Sequence, residues 1–149
     1  MSLKIQLHAA CAAFVQQRIE AAQAAMRTAQ ESANSETKSS AGDKYETGRA
    51  MAQEERNRNA VQLQQALQLQ GELTRINPAA PCDTVRPGAL VATSMGQFYI
   101  SISAGKLVVE GQEYFAVSAA APVAAALSGR RAGEEALFNG QKVRVVTVE

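Results

Sequence analysis

The 149-residue chain contains one histidine, two cysteines and no tryptophan, and aromatic residues make up only 5% of it. One His and two distant Cys cannot supply the four ligands of a structural zinc site. A Ser-His-Asp triad would have to run through His8, which sits in an Ala-rich helical segment. An excess of one charge is lacking too. Fifteen Lys+Arg stand against fourteen Asp+Glu, a net +1, without the electrostatic footprint of a strongly basic nucleic-acid binder. No window approaches the roughly 18 consecutive apolar residues of a membrane span. The start does not read as a signal peptide, because Lys4 precedes a segment broken by Gln6, His8, Gln16 and Gln17. The glycines of the second half are too dispersed to form a phosphate-binding loop. These absences predict a cytoplasmic protein of one or two small domains, with no membrane contact, no cofactor of its own and no self-contained enzyme chemistry.

What is present divides sharply near Asn77. Residues 1–77 hold eleven of the fourteen Gln, two Val and no Pro, whereas residues 78–149 hold all four Pro, ten Val and seven of the ten Gly. Ala and Gln suit helices, Val suits strands, and Gly and Pro punctuate turns. The chain therefore reads as a helical region over 1–77, a linker over 78–85 that begins with Pro78-Ala-Ala-Pro81, and a β-rich domain over 86–149.

In the first region Ile5, His8, Ala12, Val15, Ile19, Ala22, Met26, Ala29 and Ala33 follow at alternating steps of three and four. All but His8 are apolar or small, which is a coiled-coil seam. The pattern predicts a helix from Leu3 to Thr37, a break at Ser39-Ser40-Ala41-Gly42, and a second helix from Asp43 to Ile76. The second helix carries Ala60, Leu63 and Leu67 on one stripe and Leu69, Leu73 and Ile76 on a neighbouring one. Two such helices form an antiparallel hairpin with arms of roughly 50 Å. An intermolecular coiled coil would present the same seam, so self-association stays open. His8 reads as a core or inter-helix hydrogen-bonding residue, and Cys11 and Cys82 read as reduced structural cysteines.

The second region alternates apolar runs with turn signals: 89–93, 98–102, 106–109, 113–117, 135–138 and 142–148, with a short helix over Pro122–Leu127. Asn139-Gly140 between the last two runs is a strong hairpin signal. The fold class is thus α+β, a helical hairpin followed by a small antiparallel sheet with one short helix. Phe98, Tyr114, Phe115 and Phe138 read as core.

Chemistry concentrates at the hairpin tip, near 38–49. Asp43 and Glu46 are three residues apart, so a helix start can project both carboxylates on one face. Such a pair can hold a hard cation such as Mg²⁺, which takes one or two protein carboxylates and fills its other sites with water or phosphate. The commoner role is a capping box that satisfies two backbone N–H groups. Lys38, Lys44 and Arg49 offer phosphate contacts or a solvated face, and Tyr45 offers a stacking ring or a shield for the turn.

The order of helical hairpin then β-rich domain, with Gly42-Asp43-x-x-Glu46 at the turn, resembles the bacterial Gre-type transcript cleavage factors. Those carry a tip of the form Gly-Asp-Leu-Lys-Glu-Asn. Pro87-Gly88, Phe115-Ala-Val-Ser-Ala-Ala-Ala-Pro122 and Gly129-Arg-Arg-Ala-Gly133-Glu134 resemble segments of the same family's C-terminal domain. The chain departs from the pattern at Thr47-Gly48, Ala121 and Glu134. The resemblance implies an FKBP-like C-terminal domain that docks on RNA polymerase. It also implies a hairpin that enters the secondary channel to bring Asp43 and Glu46 to the active site. There they would share Mg²⁺ with the polymerase, and the polymerase would cleave backtracked RNA near its 3′ end. Lys38, Lys44, Tyr45 and Arg49 would meet RNA or polymerase, and Pro122, Arg130 and Arg131 would lie near the docking surface. Its rivals are a non-cleaving regulator or inhibitor that uses the same channel and a structural coiled-coil adaptor.

Overall fold

The computed structural model describes residues 2–37 and 42–149, with side chains described for 2–32 and 47–149. Two long helices, α1 (Leu3–Thr37) and α2 (Gly42–Thr74), are followed by six strands and one short helix. The strands are β1 (Leu90–Thr93), β2 (Gly96–Ser101), β3 (Gly105–Val109), β4 (Gln112–Ser118), β5 (Glu135–Phe138) and β6 (Gln141–Val148), with α3 (Pro122–Leu127) between β4 and β5. Two compact units result: Val15–Leu69, and Met1–Phe14 together with Gln70–Glu149.

In the helical unit α1 and α2 pack as an antiparallel hairpin. One cleft is lined by Arg18 and Ala21 with Gln62 and Gln65, another by Met26 and Gln30 with Arg56. From α1, Val15, Ile19, Ala22 and Ala29 are buried, as the seam requires. The buried stripe of α2 differs from expectation. Ala52, Asn59 and Ala66 are buried at steps of seven, Leu63 is half-buried, and Ala60 and Leu67 are exposed. Apolar character pointed to Leu67, but a helix paired against an Ala-rich seam buries whichever small residues let the backbones approach.

The second unit explains why the seam changes at the start of α1. There Lys4, Leu7 and Cys11 are buried, Ile5 and His8 are half-buried, and Ala12 is exposed. These first turns face the sheet. His8 Nδ1 lies 2.8 Å from the Tyr99 hydroxyl, and Cys11 Sγ lies 3.6 Å from Ser101 Oγ. Lys4 Nζ donates to the carbonyls of Ala80 (2.7 Å) and Glu149 (3.1 Å), so its buried ammonium is partnered. Beyond α2, Ile76 Cγ2 would stand 3.2 Å from a Cβ placed on Gly88, whose φ is +94°. A side chain at Gly88 would meet both a crowded neighbour and a left-handed backbone.

The sheet order is β3-β4-β2-β1-β6-β5. Four pairs are antiparallel, as expected, but β2 and β4 run parallel, with Phe98 opposite Phe115 and Ile100 opposite Val117. The sheet is therefore mixed. Glu110 and Gly111 both have positive φ, which makes a tight β3–β4 turn. β4 then folds back into the slot between β3 and β2, an arrangement no local signal announces. Asn139 and Gly140 make the same kind of turn between β5 and β6. One face of the sheet holds a core that includes Val91, Phe98, Ile100, Val143, Val145 and Leu127 of α3. Cys82 and Val85 join it, so part of the 78–85 segment is packed.

Candidate functional site

The candidate site lies where α1 ends at Thr37 and α2 begins at Gly42; Ser39, Ser40 and Ala41 of the predicted break lie outside the described residues. Asp43 and Glu46 both belong to the first turns of α2, where backbone positions three apart share a face. The side chains of Asp43, Lys44, Tyr45 and Glu46, and all of Lys38, lie outside the described residues. A carboxylate pair at this position suits a hard cation by donor type. It also complements the positive end of the α2 dipole. Arg49, one turn further along, is exposed and engaged in an interaction. Among the described residues, no three His, Cys, Asp or Glu side chains converge as a metal site.

Pro122, Arg130 and Arg131 fall in the sheet unit around α3. Pro122 opens the helix at its first turn, where its missing N–H costs nothing. Ala121 before it is extended and provides no side-chain cap. The Gly129-Arg-Arg-Ala-Gly133-Glu134 segment is a turn whose chemistry can be read residue by residue. Gly129 and Gly133 have φ of +78° and +90°. The Glu134 carboxylate accepts from the Arg131 N–H at 2.8 Å. The Arg130 carbonyl accepts from the Val85 N–H, and the Gly129 N–H donates to the Val85 carbonyl, both at 2.9 Å. Both arginine side chains are exposed, with Arg131 3.8 Å from Asp83. An exposed pair at that distance contributes about 0–1 kcal/mol, so the backbone bonds order this turn.

One feature of the sheet unit was not singled out from the sequence. Tyr99 is fully buried, at 0% exposure, and is the partner of His8. Burial pushes its hydroxyl pKa well up, with Cys11 and Cys82 adding in the same direction. Burial also lowers the His8 pKa, and it raises that of Cys11 against an opposing hydrogen bond from Ser101. The group is held neutral around physiological pH, which suits an anchor better than an acid–base site. Phe115, read as core from the sequence, is 38% exposed although it stacks obliquely on Phe98 at 6.0 Å. Its place in an apolar run suggested burial, but Tyr114 and Ala116 on either side are the buried pair, so strand alternation turns Phe115 to the other face, where its ring overhangs Gly96.

No helix among the described residues is long and apolar enough to cross a membrane. No protein-family model matches the chain. No curated protein matches it either. Among solved structures, the chain is similar to the GreA factor homolog 1 protein of Thermus thermophilus. That match has 19% identity and a TM-score of 0.35, over 91% of this chain and 92% of the other. A second structure, described as that of the transcription factor Gfh1, matches at 18% identity and a TM-score of 0.35, over 91% of this chain and 90% of the other.

Proposed function

We propose that this protein is an accessory factor of bacterial RNA polymerase that enters the secondary channel and stimulates cleavage of backtracked nascent RNA. One observation carries the reading: Gly42-Asp43-x-x-Glu46 stands at the turn between two long helices, and a separate sheet unit follows in the chain. A long hairpin places few residues at its far end, and here those residues include two carboxylates on adjacent turns. Asp43 and Glu46 would hold Mg²⁺ jointly with polymerase groups, since two carboxylates alone leave most of its coordination sphere open. When bound, a second metal in such a site supplies charge stabilisation at the attacking and leaving oxygens. The chain itself supplies reach, orientation and two negative charges. Lys38, Lys44 and Arg49 would contact RNA phosphates or polymerase beside that site, and Tyr45 would stack on a base. Pro122, Arg130 and Arg131 would border the surface that docks on the polymerase, in a domain of FKBP-like character.

The Thr47-Gly48 pair gives a second reading some support. Gly48 in the first turns of α2 weakens helix there by about 1 kcal/mol relative to Ala. A looser tip would favour occupancy of the channel without cleavage, hence regulation or inhibition of the polymerase. A structural adaptor, in which the acids only cap α2, would not bind polymerase. Stalled, backtracked elongation complexes incubated with the protein and Mg²⁺ separate the three. RNA shortening that is lost in Asp43→Ala and Glu46→Ala, with binding retained, supports stimulation. Binding without shortening supports the regulator, and no binding supports the adaptor.

A further inference from the structure

The two flanks of the helical unit differ, and one of them is rich in donors. Gln23, Met26, Arg27 and Gln30 of α1 and Arg56 and Leu63 of α2 line a cleft of about 430 Å³. No carboxylate lines it. The nearby Arg58 pairs with Glu55, whereas neither Arg27 nor Arg56 makes an ion pair among the described residues. Two guanidinium-bearing side chains from opposite helices thus line one concavity, and neither is held in an ion pair among the described residues.

We propose that this cleft binds a small diphosphate-bearing anion of the nucleoside di- or triphosphate class. Arginine forks match phosphate oxygens with paired, charge-assisted hydrogen bonds. Two arginines on opposite walls suit two linked phosphates better than one. Half-buried Met26 and Leu63 offer an apolar floor to a sugar or base, and the Gln23 amide can meet its polar edges. The volume falls within the usual range of small-ligand clefts. The inference does not depend on the polymerase reading, because the ligand would bind the free protein.

Isothermal titration of the full chain with pyrophosphate, with ATP and with a short single-stranded RNA tests the assignment. Pyrophosphate and ATP should each saturate one site, ATP more tightly, with affinity falling as salt rises. Arg27→Gln and Arg56→Gln should each weaken binding about tenfold, and together abolish saturation. Arg144→Gln, in the sheet unit, should leave it unchanged. Both cleft arginines are exposed, so the variants should keep the parent's circular dichroism and melting curve. Failure of both pyrophosphate and ATP to saturate would overturn the proposal. So would unchanged affinity in the double variant, or RNA binding where the small phosphates do not bind.

Discussion

The helical unit and the sheet unit achieve order by different means. In the sheet unit, large branched and aromatic side chains, among them Tyr99, Ile100, Ile102 and Leu127, are fully buried, and the polar groups of Lys4, His8 and Ser101 find partners. In the helical unit the buried positions are largely alanine, one buried amide lacks an acceptor, and open clefts run along both flanks. Burial of small side chains contributes little per residue, so stability there comes from length and repetition. Under the proposed function, a hairpin that entered the polymerase channel would need extent and a fixed register more than a deep core, and a docking domain would need a rigid surface.

Region-resolved hydrogen exchange can break this comparison, because it reads each unit separately. The largest effect is expected at Ile100→Ala, which should cost about 2–5 kcal/mol and release protection across the sheet unit. Next comes Asn59→Leu, which should stabilise the hairpin by about 1–2 kcal/mol, because it removes a buried donor without a partner. A loss of hairpin protection in that variant would mean that the amide sets the register of the helices. Leu63→Ala should cost only about 1 kcal/mol, since the side chain is half-buried beside an open cleft.

The smallest effect concerns pH and belongs to the sheet unit alone. The folded His8 pKa lies below its ordinary 6.5, so neutral His8 favours the fold. Its contribution is present above about pH 6.5 and is lost as pH falls toward the lowered value. The Cys11 pKa is raised above 9.0, so its contribution is present below that pH and is lost as pH rises past it. Melting curves from pH 5 to 10 should therefore peak between about 6.5 and 9, and His8→Gln should flatten the acid limb.

Much of this architecture was legible because it is local. The Pro122 and Asn139-Gly140 signals each act within a few residues. The structure places α1, α3 and β5 over the ranges the sequence predicts. What was not legible depends on distant partners. The parallel insertion of β4 beside β2 is fixed by neighbours far along the chain. The shift of the α1 stripe from Ile5 and Ala12 to Lys4, Leu7 and Cys11 arises because those turns meet the sheet instead of α2. Lys4 could not be read as buried, since two carbonyls more than seventy residues away satisfy it. At the tip, the pairing of Asp43 with Glu46 was readable as spacing, while spacing alone serves both capping and metal binding.

The most direct test is therefore cleavage itself, measured as RNA shortening in backtracked elongation complexes with Mg²⁺, comparing the parent protein with Asp43→Asn and Glu46→Gln. These isosteric changes keep the tip's size and remove only its charge. Shortening is expected with the parent, and a loss of about a hundredfold or more in each variant, the scale of losing one charge-stabilising group, with polymerase binding retained. Equal shortening by parent and variants, or none with the parent bound in the channel, would contradict the proposed function.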